Sequence, residues 1–500
     1  MIRSQLNSIT RLARAGALEQ AWAQFHAAGF GPDADNPDVL TVYGRLLKDR
    51  AARESGAART ALLNDAIAAY ARASALSRAT YPLINAATLA FLTGRRDEAT
   101  ALAQQTLSLL DSEDCAPDTP YWLDATRAEA LLLLGRESEA DAILGQAIRH
   151  HPVAWEDHAS TLRQFGLIAE EAGRSAAWID RFRPPPTLHF DGIMGVAADD
   201  RNARQAISER IDVIKPGTVI GALAAGADIL VAEAATACGG QLHAALPCPP
   251  ELFCEASVAP FGGDWVSRFE RLMDEAVSVT VLGDWEPLSN AAVQVAREAA
   301  MGLTIREGRR LQTFSSALRV WARGEESAQA GTDQWSAQGL PLHRILVDRS
   351  DSRKMALPGS GPAAALLCLP NALASAMPDA GVAVPQGKEA GGAVRRFATL
   401  AEAVDAAERL KALAPDARLG LDYRALPDGL PTTQSFDQVQ ALASANLSGS
   451  VALSEAAALA LMLHRAEANV QPMGTMRARL GELSIYGLFV DPPSGDQIGE

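Results

Sequence analysis

Up to about Arg183, apolar residues, mostly Ala and Leu, recur at three- and four-residue spacings broken by short Gly or Pro interruptions. That is the period of amphipathic helices, and no two-residue alternation intervenes, so the pattern predicts helix after helix. Two stretches share one layout. NAATLAFLTGRRDEATALAQQTLSLL sets an apolar helix, a turn at Gly94 and a second helix with Ala99 facing the first, and AEALLLLGRESEADAILGQAIRH repeats it around Gly135 and Ala140. Small residues there let paired helices approach closely, and each pair must stack on a neighbour to bury its remaining apolar face. A helical repeat array of the tetratricopeptide type is expected, with an irregular helical bundle as the alternative.

Pro184, Pro185 and Pro186 break the helical rhythm, since none can donate a backbone hydrogen bond. Beyond them the pattern alternates: TLHFDGI, ARQAISERIDVI, TVIGALAAG, DILVAEAATACGG, QLHAALP, WVSRFERLMDEA and SVTVLGD read as strand and helix in turn. That order predicts a parallel sheet flanked by helices. Arg323 to Gly339 is polar and rich in small residues, as a second linker would be. The expected fold class is therefore a multidomain α + α/β chain. It has a helical repeat array over 1–183, a Rossmann-like domain over 184–325 and an α+β domain over 340–492.

Composition narrows the function classes. At 500 residues the chain is too long for one core, and 48% hydrophobic with 21% charged residues is globular usage. A formal net charge of -15, with no Lys/Arg run to offset it, argues against a nucleic-acid partner. Cys115, Cys238, Cys248, Cys254 and Cys368 form no CxxC pair, so neither a zinc site nor a disulfide framework is indicated and a reducing compartment fits. No apolar run approaches a membrane span and the start carries no signal-peptide core, which points to the cytoplasm.

Three resemblances follow from particular residues. Tyr43, Gly44, Arg45, Lys48, Asp49, Tyr81, Asn85 and Ala86, in YGRxxKD and YxxINxA patterns, make residues 5 to 180 resemble the TRAFs-binding domain of apoptosis signal-regulating kinases and bacterial multidomain proteins. The resemblance implies a helical scaffold for a protein partner, and no kinase motif follows. GALAAGADILVAEAATACGGQLHAALP makes residues 184 to 325 resemble the SLOG group of Rossmann-like domains, related to DprA and LOG proteins, which implies a nucleotide-derived ligand. Gly221 and Gly226 permit tight turns and close ligand approach, and the following helix start offers backbone N–H groups to an anion. Asp191, Gly192, Asp228, Glu233 and Asp284 complete the candidate ligand groups. Packing of helix on sheet would equally demand small residues in such a turn. The PGGxGT motif of LOG enzymes has no counterpart in SVTVLGDWEPLSN.

RRFATLAEAVDAAERL, LGLDYRALPDG and GSVALSEAAALAL make the last segment resemble a degenerate class III nucleotide cyclase homology domain, which implies homodimerisation. Active cyclases need two metal-binding aspartates and an Asn and Arg on one helix. The helix expected there, SFDQVQALASANLSG, has Gln438 and Gln440 but no Arg. No catalytic residue, metal ligand or cofactor is assigned.

The remaining candidates have ordinary explanations. His150 and His151 suit a helix end, His189 and His243 suit strand packing, and Trp155 and Trp178 suit core or interface positions. The sequence thus reads as a bacterial-type signalling scaffold more than a self-contained enzyme. An enzyme acting on a nucleotide or nucleotide sugar, and a purely structural assembly protein, are the alternatives.

Overall fold

A computed structural model describes residues 2–112, 115–283, 288–325, 334–350, 361–374, 381–384, 392–426, 431–445, 449–478 and 481–490. The chain clusters into two compact units, residues 1–184 with 310–312, and 185–309 with 313–500.

The first unit is helical throughout its described residues: α1 (Ile2–Arg14), α2 (Leu18–Ala27), α3 (Pro37–Ala51), α4 (Gly56–Ser77), α5 (Thr80–Leu92), α6 (Arg96–Leu110), α7 (Pro120–Leu133), α8 (Glu137–His150) and α9 (Trp155–Glu171). Starts are written in the sequence. Asn36 accepts from the amides of Asp38 and Val39 ahead of Pro37, and Thr119 accepts from the Trp122 amide ahead of Pro120. The repeat is clearest where helices stop. Gly94, Gly135 and Gly173 all take positive φ, and the residue after each donates to a carbonyl five positions back, Arg95 to Ala90, Arg136 to Leu131 and Arg174 to Ala169, each at 2.9 Å. Ala86, Ala99 and Ala140 are buried between paired helices, as their size requires. A Cβ on Gly44 would stand 3.1 Å from the Tyr70 ring, so α3 and α4 meet at that glycine.

The second unit holds two sheets. The first is wholly parallel, in the order β4-β3-β2-β1-β5-β6. Its elements in chain order are β1 (Thr187–Gly192), α10 (Arg201–Ile214), β2 (Thr218–Gly221), α11 (Ala227–Ala237), β3 (Gln241–Leu246), α12 (Pro250–Ser257), α13 (Trp265–Glu275), β4 (Ser278–Val281), α14 (Asn290–Arg310), β5 (Ser315–Ala322), α15 (Gln334–Ala337) and β6 (Leu342–Val347). Helices α10 to α13 bury one face against Leu188, Phe190, Val219, Leu318 and Val320.

The second sheet is mixed, in the order β12-β13-β11-β10-β7-β9-β8. It comprises β7 (Ala363–Leu369), α16 (Asn371–Ala374), β8 (Val382–Ala383), β9 (Ala393–Phe397), α17 (Leu400–Leu413), β10 (Gly420–Ala425), α18 (Thr433–Ser444), β11 (Ser450–Ser454), α19 (Glu455–His464), β12 (Asn469–Ala478) and β13 (Gly481–Phe489). Thr399 and Glu402 form a capping box at the start of α17.

One helical layer serves both sheets. Ala299, Ala300 and Leu303 of α14 pack with Leu459 of α19 on the first sheet, while Ala291, Ala292 and Val295 pack with α17 and α19 on the second. Helix α19 is buried from Ala456 to Leu463 and apolar all round there, as a helix covered on every side must be, whereas α14 keeps Gln294, Arg297 and Arg309 at the surface. The break expected between 325 and 340 therefore moves. Strand β6 lies beyond the polar stretch yet pairs in parallel with β5, so that stretch joins neighbouring strands of one sheet. Among the described residues, no helix is long and apolar enough to cross a membrane.

Candidate functional site

Strands β2, β3 and β4 extend from one side of β1, whereas β5 and β6 extend from the other. The direction of strand addition thus reverses between β1 and β5. Ligands of open parallel sheets bind in the crevice at the carboxyl ends of such strands.

Asp191, next to last in β1, is the register partner of Arg319 on β5. Its Oδ2 lies 3.2 Å from Arg319 Nε and 3.6 Å from His189 Nε2. Arg319 is 5% exposed and His189 1%. His189 and Asp191 share a face because strand side chains alternate, and His189 Nδ1 donates to the Ile220 carbonyl at 3.1 Å. Burial raises the Asp191 carboxyl, but the approach of His189 and the charges of Arg319 and Arg297 outweigh it, leaving the group below the usual range.

Asp228 opens α11 and is buried, with Oδ2 accepting from the Ala224 amide at 3.3 Å. Burial first, then the charge of Asp191, push its carboxyl well above the usual range, against hydrogen bonds from the Ala224 and Gly192 amides. It holds the β2–α11 turn through the Ala224 amide.

The glycines have packing reasons. Gly226 has φ +115° and a Cβ there would stand 2.8 Å from the Ile193 carbonyl oxygen, which already accepts from the Ala227 amide at 3.0 Å. The chain leaving β1 therefore occupies the first free amide of α11. A Cβ on Gly192 would collide with Ala227, and one on Gly221 would stand 2.5 Å from the Phe190 carbonyl oxygen.

Of the sequence-derived candidates, Asp191, Gly192, Gly226 and Asp228 come together. Glu233 is engaged elsewhere, in a two-pronged pair with Arg268, Nε to Oε1 at 2.9 Å and Nη2 to Oε2 at 2.5 Å, which ties α11 to α13. Gly221 lies on β2 against β1, and Asp284 falls outside the described residues. Arg319 and its approach to Asp191 were not foreseen. The signal was one cation among the apolar residues of ALRVWA.

In the second sheet, Asp422 and Arg424 are both buried, with Arg424 Nε donating to Asp422 Oδ2 at 2.5 Å. Arg424 also donates to Ser435 at 3.1 Å and to Gln438 at 2.6 Å, so the α18 glutamine is tied to the strand beneath it. Gln440 is half-buried. Among the described residues, no group of three or more His, Cys, Asp or Glu is arranged to hold a metal ion.

A second polar site lies in the first unit. The first helix of each pair, α3, α5, α7 and α9, together line a small cavity of about 20 Å³ that opens to solvent. Lys48 Nζ donates to Asn85 Oδ1 at 2.9 Å, Gln164 Nε2 reaches the same oxygen at 3.5 Å, and Asn85 Nδ2 donates to the Tyr81 carbonyl at 2.9 Å. Glu129 is buried and accepts from Thr88 Oγ1 at 2.5 Å. Burial drives its carboxyl up to about 7, against the Thr88 hydrogen bond and the charge of Lys48. The YGRxxKD and YxxINxA residues thus divide by task. Lys48, Tyr81 and Asn85 line the cavity, whereas Gly44 and Ala86 pack helices and Arg45 pairs with Asp49 at 3.6 Å.

Residues 3–90 match the model of the family TPR-S, Tetratricopeptide Repeats-Sensor. The first unit is a tetratricopeptide-like helical array. None of the curated proteins compared with the chain matches it. Among solved structures, a point mutant of the O-GlcNAc transferase of Thermobaculum terrenum is 12% identical, covering 65% of this chain and 60% of its own, with a TM-score of 0.20. The chain therefore spans less than two thirds of that protein, and a likeness of that size carries no structural argument.

Proposed function

We propose that this protein is a cytoplasmic signalling scaffold whose helical array engages a protein partner on the wall formed by α3, α5, α7 and α9. One observation carries the reading: four successive first helices converge on a solvent-open surface lined by Lys48, Tyr81, Asn85, Trp122 and Gln164. Repeat arrays bind through such continuous surfaces. The bacterial origin, the SLOG-like and cyclase-like assignments, and homodimerisation through the cyclase-like segment belong to the same reading.

A nucleotide-derived ligand would enter at the β1/β5 crevice, with Asp191 and Arg319 at its mouth. Against it stands the Ile193 carbonyl, which takes the α11 amide that a phosphate would use. That contact favours a second reading, assembly without a small ligand in the sheet region. Two measurements separate the readings. Affinity capture with the full chain should retain a specific stoichiometric protein that a Tyr81→Ala, Trp122→Ala variant of unchanged helical content loses; identical captures would remove the scaffold reading. Calorimetry against mono-, di- and cyclic nucleotides and ADP-ribose, with no heat in any titration, would leave the assembly reading alone.

A further inference from the structure

We propose that strand β4 is a self-association edge, at which a second copy of this chain adds its own β4 antiparallel about a two-fold axis through Val279. The contact lies on the first sheet, so it goes beyond the scaffold reading and stands or falls separately from pairing through the cyclase-like segment.

The two sheets present four edges, β4 and β6 on the first, β12 and β8 on the second. An exposed edge invites another strand, and proteins guard their edges with charge, proline, a bulge or brevity. Three of the four are guarded. β6 carries His343 and Arg344, β12 carries Pro472, a register shift between Pro472 and Gly474, and Arg477, and β8 is two residues long. β4 lacks these devices. Its ladder to β3 runs from the Val277 amide, which donates to the Leu242 carbonyl at 2.8 Å, to the Leu282 amide, which donates to the Leu246 carbonyl at 2.9 Å. The register between them is unbroken, and the stretch from Ala276 to Leu282 holds no charge and no proline. Among the described residues no strand pairs with its other side. Val277 is 59% exposed and Val279 39%, although both are β-branched residues suited to a covered sheet.

The strand's own pattern identifies the occupant. Val277, Ser278, Val279, Thr280 and Val281 read alike from both ends, valine and hydroxyl in alternation. An antiparallel copy centred on Val279 sets Val277 against Val281, Ser278 against Thr280 and Val279 against itself. Side chains alternate across a strand, so valines meet valines on one face and hydroxyls meet hydroxyls on the other. Ser278 Oγ lies 2.7 Å from His243 Nδ1 on β3 and keeps capacity for a second bond. Such a contact is isologous and closes at two copies. Charge selects the same occupant. Two chains of net charge -15 repel, so a shared edge must bring no like charges together, and Ala276 to Leu282 pairs with itself without one. So short a ladder makes a small interface, and the dimer is a weak one that dilution dissociates.

Sedimentation equilibrium of the full chain over a wide dilution series reads the association, and cysteine pairing reads the register. The wild type is expected to show a concentration-dependent doubling of mass. Val279→Lys should weaken that step by about tenfold or more, because it sets two like charges directly opposite each other on the axis. In a Cys238→Ser background, which removes an exposed thiol, Val279→Cys should form a covalent dimer under mild oxidation, since a residue on the axis meets its own copy. Leu413→Cys in the same background, exposed on α17 outside the first sheet, sets the level of chance encounter. A monomer at every concentration would leave the edge to a different protein's strand and overturn the proposal. Equal association by Val279→Lys, or no more covalent dimer from Val279→Cys than from Leu413→Cys, overturns it as well. If Val279→Lys melts below the wild type, the cysteine comparison decides alone.

Discussion

Gly302 of α14 lies directly against the backbone of Leu459 in α19: a Cβ on the glycine would collide with the Leu459 carbonyl oxygen and stand 3.3 Å from the Leu463 amide. The two helices that connect the sheets therefore cross with main chain touching main chain. Tyr423 of β10 reinforces the junction, donating to the buried Glu298 of α14 at 2.9 Å.

Gly302→Ala is expected to destabilise the second unit. In an exposed helix the same change stabilises by about 0.5 to 1 kcal/mol. Here overpacking reverses the sign, at a typical cost of about 1 to 3 kcal/mol. Urea unfolding followed by Trp fluorescence checks it, and a raised midpoint would contradict the backbone contact.

Gly226→Val should lower stability before it alters binding. A side chain there needs an unfavourable positive φ and clears the Ile193 oxygen by only 2.8 Å, which costs on the order of 1 to 3 kcal/mol. Full stability with the substitution in place would mean that the turn is not so tightly crossed.

Glu129 supplies a pH-dependent prediction. Its folded-state carboxyl lies at about 7 against an ordinary 4.5, so the unfolded chain ionises first and the folded state is penalised progressively as pH rises from the lower value through the upper. The full penalty is about 3 kcal/mol by linkage. Glu129→Gln should flatten the stability profile between those values and raise stability at alkaline pH. Parallel profiles for the two proteins would contradict it.

Asp191 and Arg319 should show energetic coupling. Removing one member strands the other, so Arg319→Leu and Asp191→Asn, measured singly, are expected to cost more in sum than the two combined. A double-mutant cycle should return a coupling of about 1 to 3 kcal/mol. Strict additivity would mean that the pair does not interact.

With ATP or GTP and magnesium or manganese, the full chain is expected to form no cyclic nucleotide. Asp422 is held by Arg424, which also holds Gln438, so neither the strand nor the helix offers these groups to metal or ribose. Product that tracks the protein through successive purification steps would overturn this.

The helical array was legible residue by residue, because its determinants are local: Gly94 and Gly135 end helices through positive φ, Pro37 and Pro120 begin them, and alanines mark the close crossings. The parallel sheet was legible for a similar reason, since each strand and its following helix lie together in the chain. Tertiary structure alone decided what those elements share. The sequence of α14 carries no sign that Gly302 meets Leu459, because buried Glu298 and Glu307 interrupt its apolar faces and no clean polar stripe marks which side meets a neighbour. The pairing of Asp191 with Arg319 depends on strand register across more than a hundred residues, which periodicity does not encode. The cavity of Lys48, Asn85, Glu129 and Gln164 draws its polar groups from each of four helices, so each looks locally like ordinary helix polarity and only the stacking of the repeats makes them one surface.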